Sequence, residues 1–246
     1  MVSEMPSREY VQSARRDNLC VCQPRYAIYY TTFANHPLTV AAENWFGRSA
    51  FEQRGKNAAE RPDAVIGEPR RYGFHATLKA PFRLAAGTSI EDLETDLDAF
   101  ASTTRPCPIG RLRIGVLAGF FVPAQKILGV ATFASRIVET FDCFRAPFDA
   151  SELCRRDIGG LDEAETEQLV RWGYPYVFES FRFHMTLTNR IAEHQRPSLE
   201  AELRNHFGTI VDEDYAIDAL TLFEQQNPEA DFFVRRRFTL NPGVRF

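Results

Sequence analysis

The stretch FHATL at residues 74–78 returns as FHMTL at residues 183–187, with four of the five residues identical. Side chains in a β-strand alternate between two faces. Each stretch therefore predicts a strand that buries its phenylalanine, its leucine and the residue midway between them, and that presents histidine and threonine on the other face. A half-buried strand needs polar residues outside, so the alternation alone indicates only a strand. The shared His-x-Thr adds a repeat, which predicts two related structural units.

Strand and helix signals surround the two stretches in a similar order. Residues 25–33 are aromatic and β-branched, which favours a strand, whereas residues 52–69 are polar with glycine and proline, which indicates a loop. Apolar spacing and capping residues predict helices at 38–47, from 90 after Ser89, at 126–143, from Asp162 to Gly173 and at 197–207. Further strands are predicted at 111–122, 181–190, 217–226 and 232–240. This order predicts an α+β fold of two lobes, each an antiparallel sheet flanked by helices.

Composition bounds the class of protein. Residues 1–24 are polar and lack periodicity, which predicts a disordered extension ahead of a single bilobal domain at 25–246. No apolar run approaches the roughly 20 residues of a membrane span. Five irregularly spaced cysteines indicate reduced thiols, and we expect a cytoplasmic protein. A net charge of −4 argues against long nucleic acid as a partner but permits a short nucleotide or a small phosphorylated substrate. These features leave the oligomeric state open.

The polar faces of the two strands carry the groups that a phosphoryl transfer needs. The imidazoles of His75 and His184 can titrate near neutral pH, so that one accepts a proton while the other donates one. The hydroxyls of Thr77 and Thr186 can donate hydrogen bonds to phosphate oxygens. A base and an acid on opposite sides of a phosphodiester permit in-line attack by water, with no metal or other cofactor required.

Three longer stretches together resemble a known family: RYAIYY from residue 25, RYGFHATLKAPF from residue 71 and RWGYPYVFESFRFHMTLT from residue 171. They look like one branch of the 2H phosphoesterase superfamily, the uncharacterised family DUF1045, which is associated with phosphonate metabolism. The likeness runs from about residue 25 to about residue 240. It implies a bilobal fold with a pseudo-twofold axis and a central groove between two antiparallel sheets. It also implies that His75 and His184 form the catalytic pair and that Thr77 and Thr186 bind the phosphate.

Side chains close to the motifs extend the set of candidate contacts. Lys79 and Arg190 project from the motif faces, and we expect both to bind phosphate. The family pattern has glycine after Thr188, where this chain has Asn189, so the turn and the direction of Arg190 depend on Asn accepting a positive φ. The candidate substrate-lining residues are Arg71, Tyr72, Tyr174, Tyr176 and Thr188.

The function expected from these features is a metal-independent phosphodiesterase that hydrolyses a cyclic phosphate of ribose or nucleotide type, in phosphonate metabolism. Which histidine is the base stays open. Two alternatives remain beside it. One is an enzyme that hydrolyses or ligates RNA ends carrying a 2′,3′-cyclic phosphate. The other is a non-catalytic module that binds a nucleotide or a phosphorylated metabolite.

Overall fold

The structure is a computed structural model that describes residues 23–52, 61–117, 120–123, 128–148 and 160–243. The extension predicted as disordered falls outside these ranges except for residues 23 and 24. The strands are β1 (Arg25–Tyr30), β2 (Ala76–Phe82), β3 (Cys107–Arg111), β4 (Ile114–Leu117), β5 (Phe120–Pro123), β6 (Asp214–Ile217), β7 (Ala219–Gln225) and β8 (Phe233–Thr239). The helices are α1 (Pro37–Phe46), α2 (Asp63–Tyr72), α3 (Ile90–Thr103), α4 (Leu128–Phe141), α5 (Glu163–Trp172) and α6 (Arg196–Phe207).

The largest element is a four-stranded antiparallel sheet in the order β2-β1-β7-β8, which confirms the predicted α+β class and the hairpin of β7 and β8. Two-stranded antiparallel ladders join β3 to β6 and β4 to β5. In the four-stranded sheet Tyr29 lies opposite Thr77 on one side and Thr221 on the other. Directly opposed residues point to the same face of a sheet, so Tyr29 shares a face with the first motif threonine.

The two faces of this sheet are buried against different partners. One face packs into the main core, where Ile28, Leu220 and Leu222 are fully buried beside apolar residues of the helices. The other face carries a smaller apolar cluster made of Ala27, Tyr29, Ala50, Phe223 and Phe232. Within the described ranges, no helix has the length and apolar composition needed to cross a membrane.

Several helix ends follow the predicted capping chemistry. Gly47 ends α1 with φ 63°, and Gly173 ends α5 with φ 80°, both in the left-handed region that glycine adopts without a steric cost. Ser89 and Asp92 form a reciprocal capping box at the start of α3. Asp162 does the same with Glu165 at the start of α5.

The loop predicted at 52–69 was wrong from residue 63 onward, because α2 occupies Asp63–Tyr72 in spite of Gly67 and Pro69. The helix buries Ile66 completely in the main core. Pro69 has no N–H, so the carbonyl of Val65 lacks its usual partner one turn later. The backbone N–H of Asn189 donates to that carbonyl at 2.7 Å. A long-range contact therefore stabilises a helix that local propensity disfavours.

The strand predicted at 181–190 was also wrong in its pairing. The second motif forms isolated bridges at His184 and Met185 rather than a strand, and Met185 pairs with Ala76 of β2 in the antiparallel sense. The Leu187 carbonyl also accepts from the Trp45 indole N–H of α1 at 2.8 Å, and the backbone N–H of Asn189 donates to α2. The described residues thus hold antiparallel sheets flanked by helices, as predicted, while the bilobal pseudo-twofold arrangement stays a prediction.

Candidate functional site

The first motif divides its side chains between the two sides of β2 as its alternation predicts. Phe74, Ala76 and Leu78 are 4%, 1% and 2% exposed and belong to the main core. His75 and Thr77 are half-buried and face a cavity. The apolar side chains hold the strand in place, which fixes the backbone that carries the two polar groups.

The second motif shows the same division without belonging to a sheet. Phe183, Met185 and Leu187 are buried in the main core. His184 and Thr186 are half-buried and line a cavity. Burial of alternate residues is therefore enough to orient this extended segment, although it is not a strand of a described sheet.

Both histidines use the same local hydrogen bond. The Nδ1 atom of His75 lies 2.8 Å from the carbonyl oxygen of Gly73, and Nδ1 of His184 lies 2.7 Å from the carbonyl oxygen of Arg182. A carbonyl oxygen only accepts, so Nδ1 must carry the hydrogen in each ring. Each neutral imidazole then has Nε2 as its free basic atom, and each protonated imidazole can donate from Nε2.

The two histidines line adjacent compartments of one groove. A cavity of about 400 Å³ is lined by His184 with Tyr176, Val177 and Phe181. A smaller cavity of about 260 Å³ is lined by His75 with Tyr29, Tyr72, Glu68, Pro69, Ala80 and Pro81. Thr77, Tyr174 and Thr186 line both cavities. Three hydroxyl groups therefore stand at the boundary between the two imidazoles, where a phosphate bound between the histidines would place its oxygens.

Burial disfavours the charged form of both imidazoles. Burial lowers the pKa of His75 to about 4. The hydrogen bond to the Gly73 carbonyl opposes this shift, and charge on His184 adds to it. Burial also lowers the pKa of His184, opposed by the bond to the Arg182 carbonyl. A positive charge on His184 thus opposes protonation of His75.

Tyr29 is a site residue that the sequence analysis did not single out. Its ring stacks on the His75 imidazole, with centroids 3.8 Å apart and planes at 20°. Both faces of β1 carry tyrosine, so the alternation of that strand could not tell which one meets the groove. The signal that identifies Tyr29 is the cross-strand register with Thr77.

The tyrosines predicted before each motif do line the groove. Tyr72 lines the smaller cavity, Tyr176 the larger one, and Tyr174 both. Burial raises the pKa of Tyr174 to about 12, with smaller contributions from Tyr176 and Tyr72, so its hydroxyl stays a neutral donor. Arg182 is the one arginine or lysine among the residues lining these two cavities.

Lys79 does not reach the groove, so its expected phosphate contact was wrong. Its side chain is 3% exposed, and its ammonium pairs with Asp142 at 2.8 Å, a carboxylate that also binds Arg145. The reason is a bulge. Thr77 and Lys79 are two residues apart on β2, but their partners on β1, Tyr29 and Ile28, are only one residue apart. The inserted residue breaks the alternation, and Lys79 lies opposite the buried Ile28.

Three other predicted contacts are also placed away from the two cavities. Arg190 is exposed and lines neither cavity. Thr188 is fully buried, and its hydroxyl donates to the Asn189 carbonyl at 3.0 Å. Arg71 lines a separate open cavity beside α2. Among the described residues, Phe178 is the one non-glycine residue with a positive φ, so Asn189 does not adopt that conformation.

Asn189 instead binds the start of α2 with its side chain. The amide nitrogen donates to the carbonyls of Asp63 and Ala64, both at 3.0 Å, and the amide oxygen accepts from the Glu68 N–H at 2.9 Å. Glycine could make none of these bonds. Across the described ranges, no three His, Cys, Asp or Glu side chains form a group able to hold a metal ion.

Comparison with known proteins identifies relatives of the chain. The profile of the family described as "Protein of unknown function (DUF1045)" matches residues 77–233, more than half of the chain. A protein of Janthinobacterium sp. (strain Marseille) named ribose 1,5-bisphosphate phosphokinase PhnN is 34% identical over 85% of this chain and 49% of its own length. The protein of that name from Laribacter hongkongensis (strain HLHK9) is 31% identical over 85% and 50%. The chain thus spans about half the length of these relatives.

Among solved structures, the conserved protein of unknown function Atu0111 from Agrobacterium tumefaciens str. C58 aligns with a TM-score of 0.40 and 12% identity. The alignment covers 87% of this chain and 84% of that one.

Proposed function

Because the chain belongs to the DUF1045 family, whose description assigns no activity, we propose one from the groove itself. The proposed activity is hydrolysis of a cyclic phosphodiester, with His75 and His184 as the acid–base pair and Thr77 and Thr186 as phosphate ligands. This is the chemistry of a 2H phosphoesterase, and it needs no bound metal.

One observation carries the proposal: the two imidazoles have the same local geometry and line two compartments that share a wall of hydroxyl groups. Binding a phosphate needs donors only. Two imidazoles that each keep Nε2 free add a base and an acid, which binding alone does not require. Charge on His184 lowers the pKa of His75 further and so disfavours the state in which both rings are protonated, whereas the proposed reaction uses the singly protonated pair.

The proposed reaction adds one water molecule across one P–O bond. The neutral histidine accepts a proton from the water as its oxygen attacks phosphorus, and the bond from phosphorus to the leaving ring oxygen breaks. The protonated histidine donates its proton to that oxygen, which becomes a hydroxyl. The product is a phosphomonoester, and the two histidines have exchanged protonation states. Donors on the boundary between the compartments, among them Thr77 and Thr186, stabilise the negative charge on the non-bridging oxygens.

The substrate class that we propose is a cyclic phosphate on ribose. The two named relatives are called ribose 1,5-bisphosphate phosphokinase. Opening a cyclic phosphodiester on the oxygens of carbons 1 and 2 of ribose 5-phosphate yields ribose 1,5-bisphosphate when the bond between phosphorus and the carbon-2 oxygen breaks. That chemistry connects the proposed hydrolysis to the molecule in the relatives' name, and it agrees with the link to phosphonate metabolism that the family resemblance implies.

Kinase activity is not proposed for this chain, which spans only about half of those relatives. A P-loop kinase cradles phosphates with the pattern G-x-x-x-x-G-K-[S/T]. The one Gly-Lys dipeptide of the sequence, Gly55-Lys56, has Ala50 at the first glycine position and Asn57 after the lysine. The groove described above offers acid–base groups, which suit hydrolysis.

The test incubates chelator-treated protein with a panel of ribose and nucleoside cyclic phosphates and monitors their hydrolysis by 31P NMR. We expect His75→Ala and His184→Ala each to lose about 10²- to 10⁴-fold in kcat/KM, the usual contribution of a general acid or base. His194→Ala is the matched control, since His194 is exposed and lines neither cavity.

Full activity in either motif variant would overturn the proposal. Tight binding of a cyclic phosphate with no turnover between pH 4 and 9 would instead favour the binding module. Preference for an oligonucleotide with a 2′,3′-cyclic end over ribose cyclic phosphates would favour RNA-end processing.

A further inference from the structure

His75 is held by two contacts that restrict its ring. The Gly73 carbonyl binds Nδ1 at 2.8 Å. The Tyr29 ring lies against the flat face of the imidazole, with the centroids 3.8 Å apart. The first contact fixes the tautomer, and the second prevents the ring from turning about its bond to Cβ. Together they leave Nε2 as the atom that His75 presents to the groove.

Tyr29 is itself rigidly held. It is 1% exposed on β1, and its ring packs against Phe223 at 5.0 Å and Phe232 at 6.3 Å between centroids. Tyr72 stacks on the same Phe232, with centroids 5.1 Å apart and planes at 18°. A layer of aromatic rings therefore supports the tyrosine that supports the histidine.

His184 lacks such support among the described residues, where no aromatic ring stacks on its imidazole. It shares the carbonyl bond at Nδ1 but lines the larger cavity of about 400 Å³. The two members of the pair are thus equal in hydrogen bonding and unequal in restraint. A rigid Nε2 suits a group that must aim at one water molecule, because small displacements of a reacting group cost large factors in rate.

We propose that Tyr29 is a positioning residue that clamps the imidazole of His75 and thereby makes His75 the proton acceptor of the pair, leaving proton donation to His184. The division of roles rests on the proposed function, whereas the clamp itself does not. Titratable groups that line the same cavity as His75 are Tyr29 of β1, Tyr72 and Glu68 of α2, and Tyr174. Charge on His184 also lowers the pKa of His75. Within the described residues, none of the groups just named forms an ion pair with His75.

The test compares Tyr29→Phe, Tyr29→Leu and the matched control Tyr30→Leu by 1H–15N spectroscopy of the imidazoles and by pH–rate profiles. Tyr30 is also 1% exposed and is the next residue on β1, but it points to the main core. We expect Tyr29→Phe to keep the single Nδ1–H tautomer of His75, because the ring remains.

In Tyr29→Leu we expect both tautomers to appear. The titration of His75 should also move at least one pH unit towards its ordinary value, since water reaches the uncovered ring. The acidic limb of kcat/KM should move with it, and kcat should fall about tenfold to a hundredfold with KM changed less than twofold. Tyr30→Leu should lose comparable stability and leave the His75 signals unchanged.

Unchanged His75 signals in folded Tyr29→Leu would overturn the clamp, as would equal changes in Tyr30→Leu. If Tyr29→Leu does not fold, Tyr29→Met places a longer, flexible apolar side chain in the same space without a flat ring and gives the same tautomer comparison. A wild-type protein that shows no turnover removes the proposed function, while the imidazole spectra still decide whether Tyr29 holds His75.

Discussion

The two FHxTL motifs differ in how the fold holds their backbones. The first motif runs into β2, one strand of a four-stranded sheet. The second is not a strand of that sheet. Met185 bridges Ala76 of β2, the Leu187 carbonyl accepts from the Trp45 indole, and the following Asn189 bonds to α2. Both nevertheless place the histidine Nδ1 on the carbonyl oxygen two residues earlier, at 2.8 and 2.7 Å.

The comparison shows which part of the geometry belongs to the pentapeptide itself. Alternate burial of Phe, Ala or Met, and Leu orients the segment, and the carbonyl two residues before the histidine lies within reach of its ring. Neither feature needs a sheet partner. What the sheet adds in the first motif is the neighbouring strand, and with it the stacked ring of Tyr29. The unequal support of two similar motifs is the difference that the following predictions probe.

The largest expected effect separates the two histidines by the pH limb that each controls. Both pKa values are lowered, so the optimum of kcat/KM should lie below about pH 6.5. His75→Gln should remove the limb that rises from acid pH, and His184→Gln the limb that falls at higher pH, each with a loss of about 10²- to 10⁴-fold. Steady-state profiles from pH 4 to 9 measure both limbs. Exchange of the two limbs between the variants would assign the base to His184.

The second effect compares the glycines that end the helices before each active-site segment. Gly73 has φ +78°, and an added Cβ would lie 2.8 Å from the Ala50 Cβ. The same atom on Gly173, at φ +80°, would meet the flexible Arg145 side chain. Gly87, at φ +83° with nothing within 4 Å, is the control for backbone strain alone. We expect Ala variants to lose about 1 kcal/mol at Gly87 and about 3 kcal/mol at Gly73.

Gly173→Ala should lie between these two values in urea unfolding. A Gly73→Ala variant no less stable than Gly87→Ala would mean that the turn before His75 is free to move.

The third effect compares Lys79, which is buried, with Arg182, which lines the larger cavity. Lys79→Met should cost about 2 kcal/mol of unfolding free energy, less than a fully broken buried pair, because Arg145 still pairs with Asp142. KM for a phosphorylated substrate should stay within about twofold. Arg182→Met should show the opposite pattern, with stability within about 0.5 kcal/mol and a raised KM, since Arg182 is exposed at the larger cavity. A raised KM in Lys79→Met with unchanged stability would restore Lys79 to the phosphate site.

The smallest effect concerns stability against pH. The folded-state pKa of His75 is lowered to about 4, so its neutral form is favoured by folding. This contribution is present above about pH 6.5 and is lost as the pH falls towards 4. Between pH 7 and 4 the wild type should lose about 1 kcal/mol more unfolding free energy than His75→Gln, a value reduced for screening at a half-buried ring. Equal losses in chemical unfolding would show that His75 titrates freely in the folded protein.

The sequence predicted what depends on local pattern. The burial of Phe74, Ala76 and Leu78 followed from alternation, and the starts of α3 and α5 followed from their capping residues. The helix α2 was missed because its proline and glycine disfavour helix, and the compensating bond from Asn189 comes from 124 residues away along the chain, from 65 to 189. No local signal carries that information.

The site was predictable to the same extent. The repeat identified the histidines and threonines, which two adjacent cavities then bring together. Lys79 was misplaced because a bulge shifts the alternation two residues after Thr77. Tyr29 was missed because both faces of its strand are aromatic, and only pairing with β2 selects the face that meets His75. Register and bulges depend on the partner strand, so neither can be predicted from the sequence of one strand alone.

Helix α2 is bonded to the segments that carry both motifs. Its start is bound by Asn189, which follows the second motif, and its end is the Gly73 turn, whose carbonyl binds His75. Ten helical residues measure about 15 Å, and a helix resists changes in length far better than a loop. The segments that carry the two motifs are therefore connected through a stiff helix as well as through the bridge between Met185 and Ala76. A displacement of α2 moves both motifs, so that their separation is preserved even when the surrounding chain shifts.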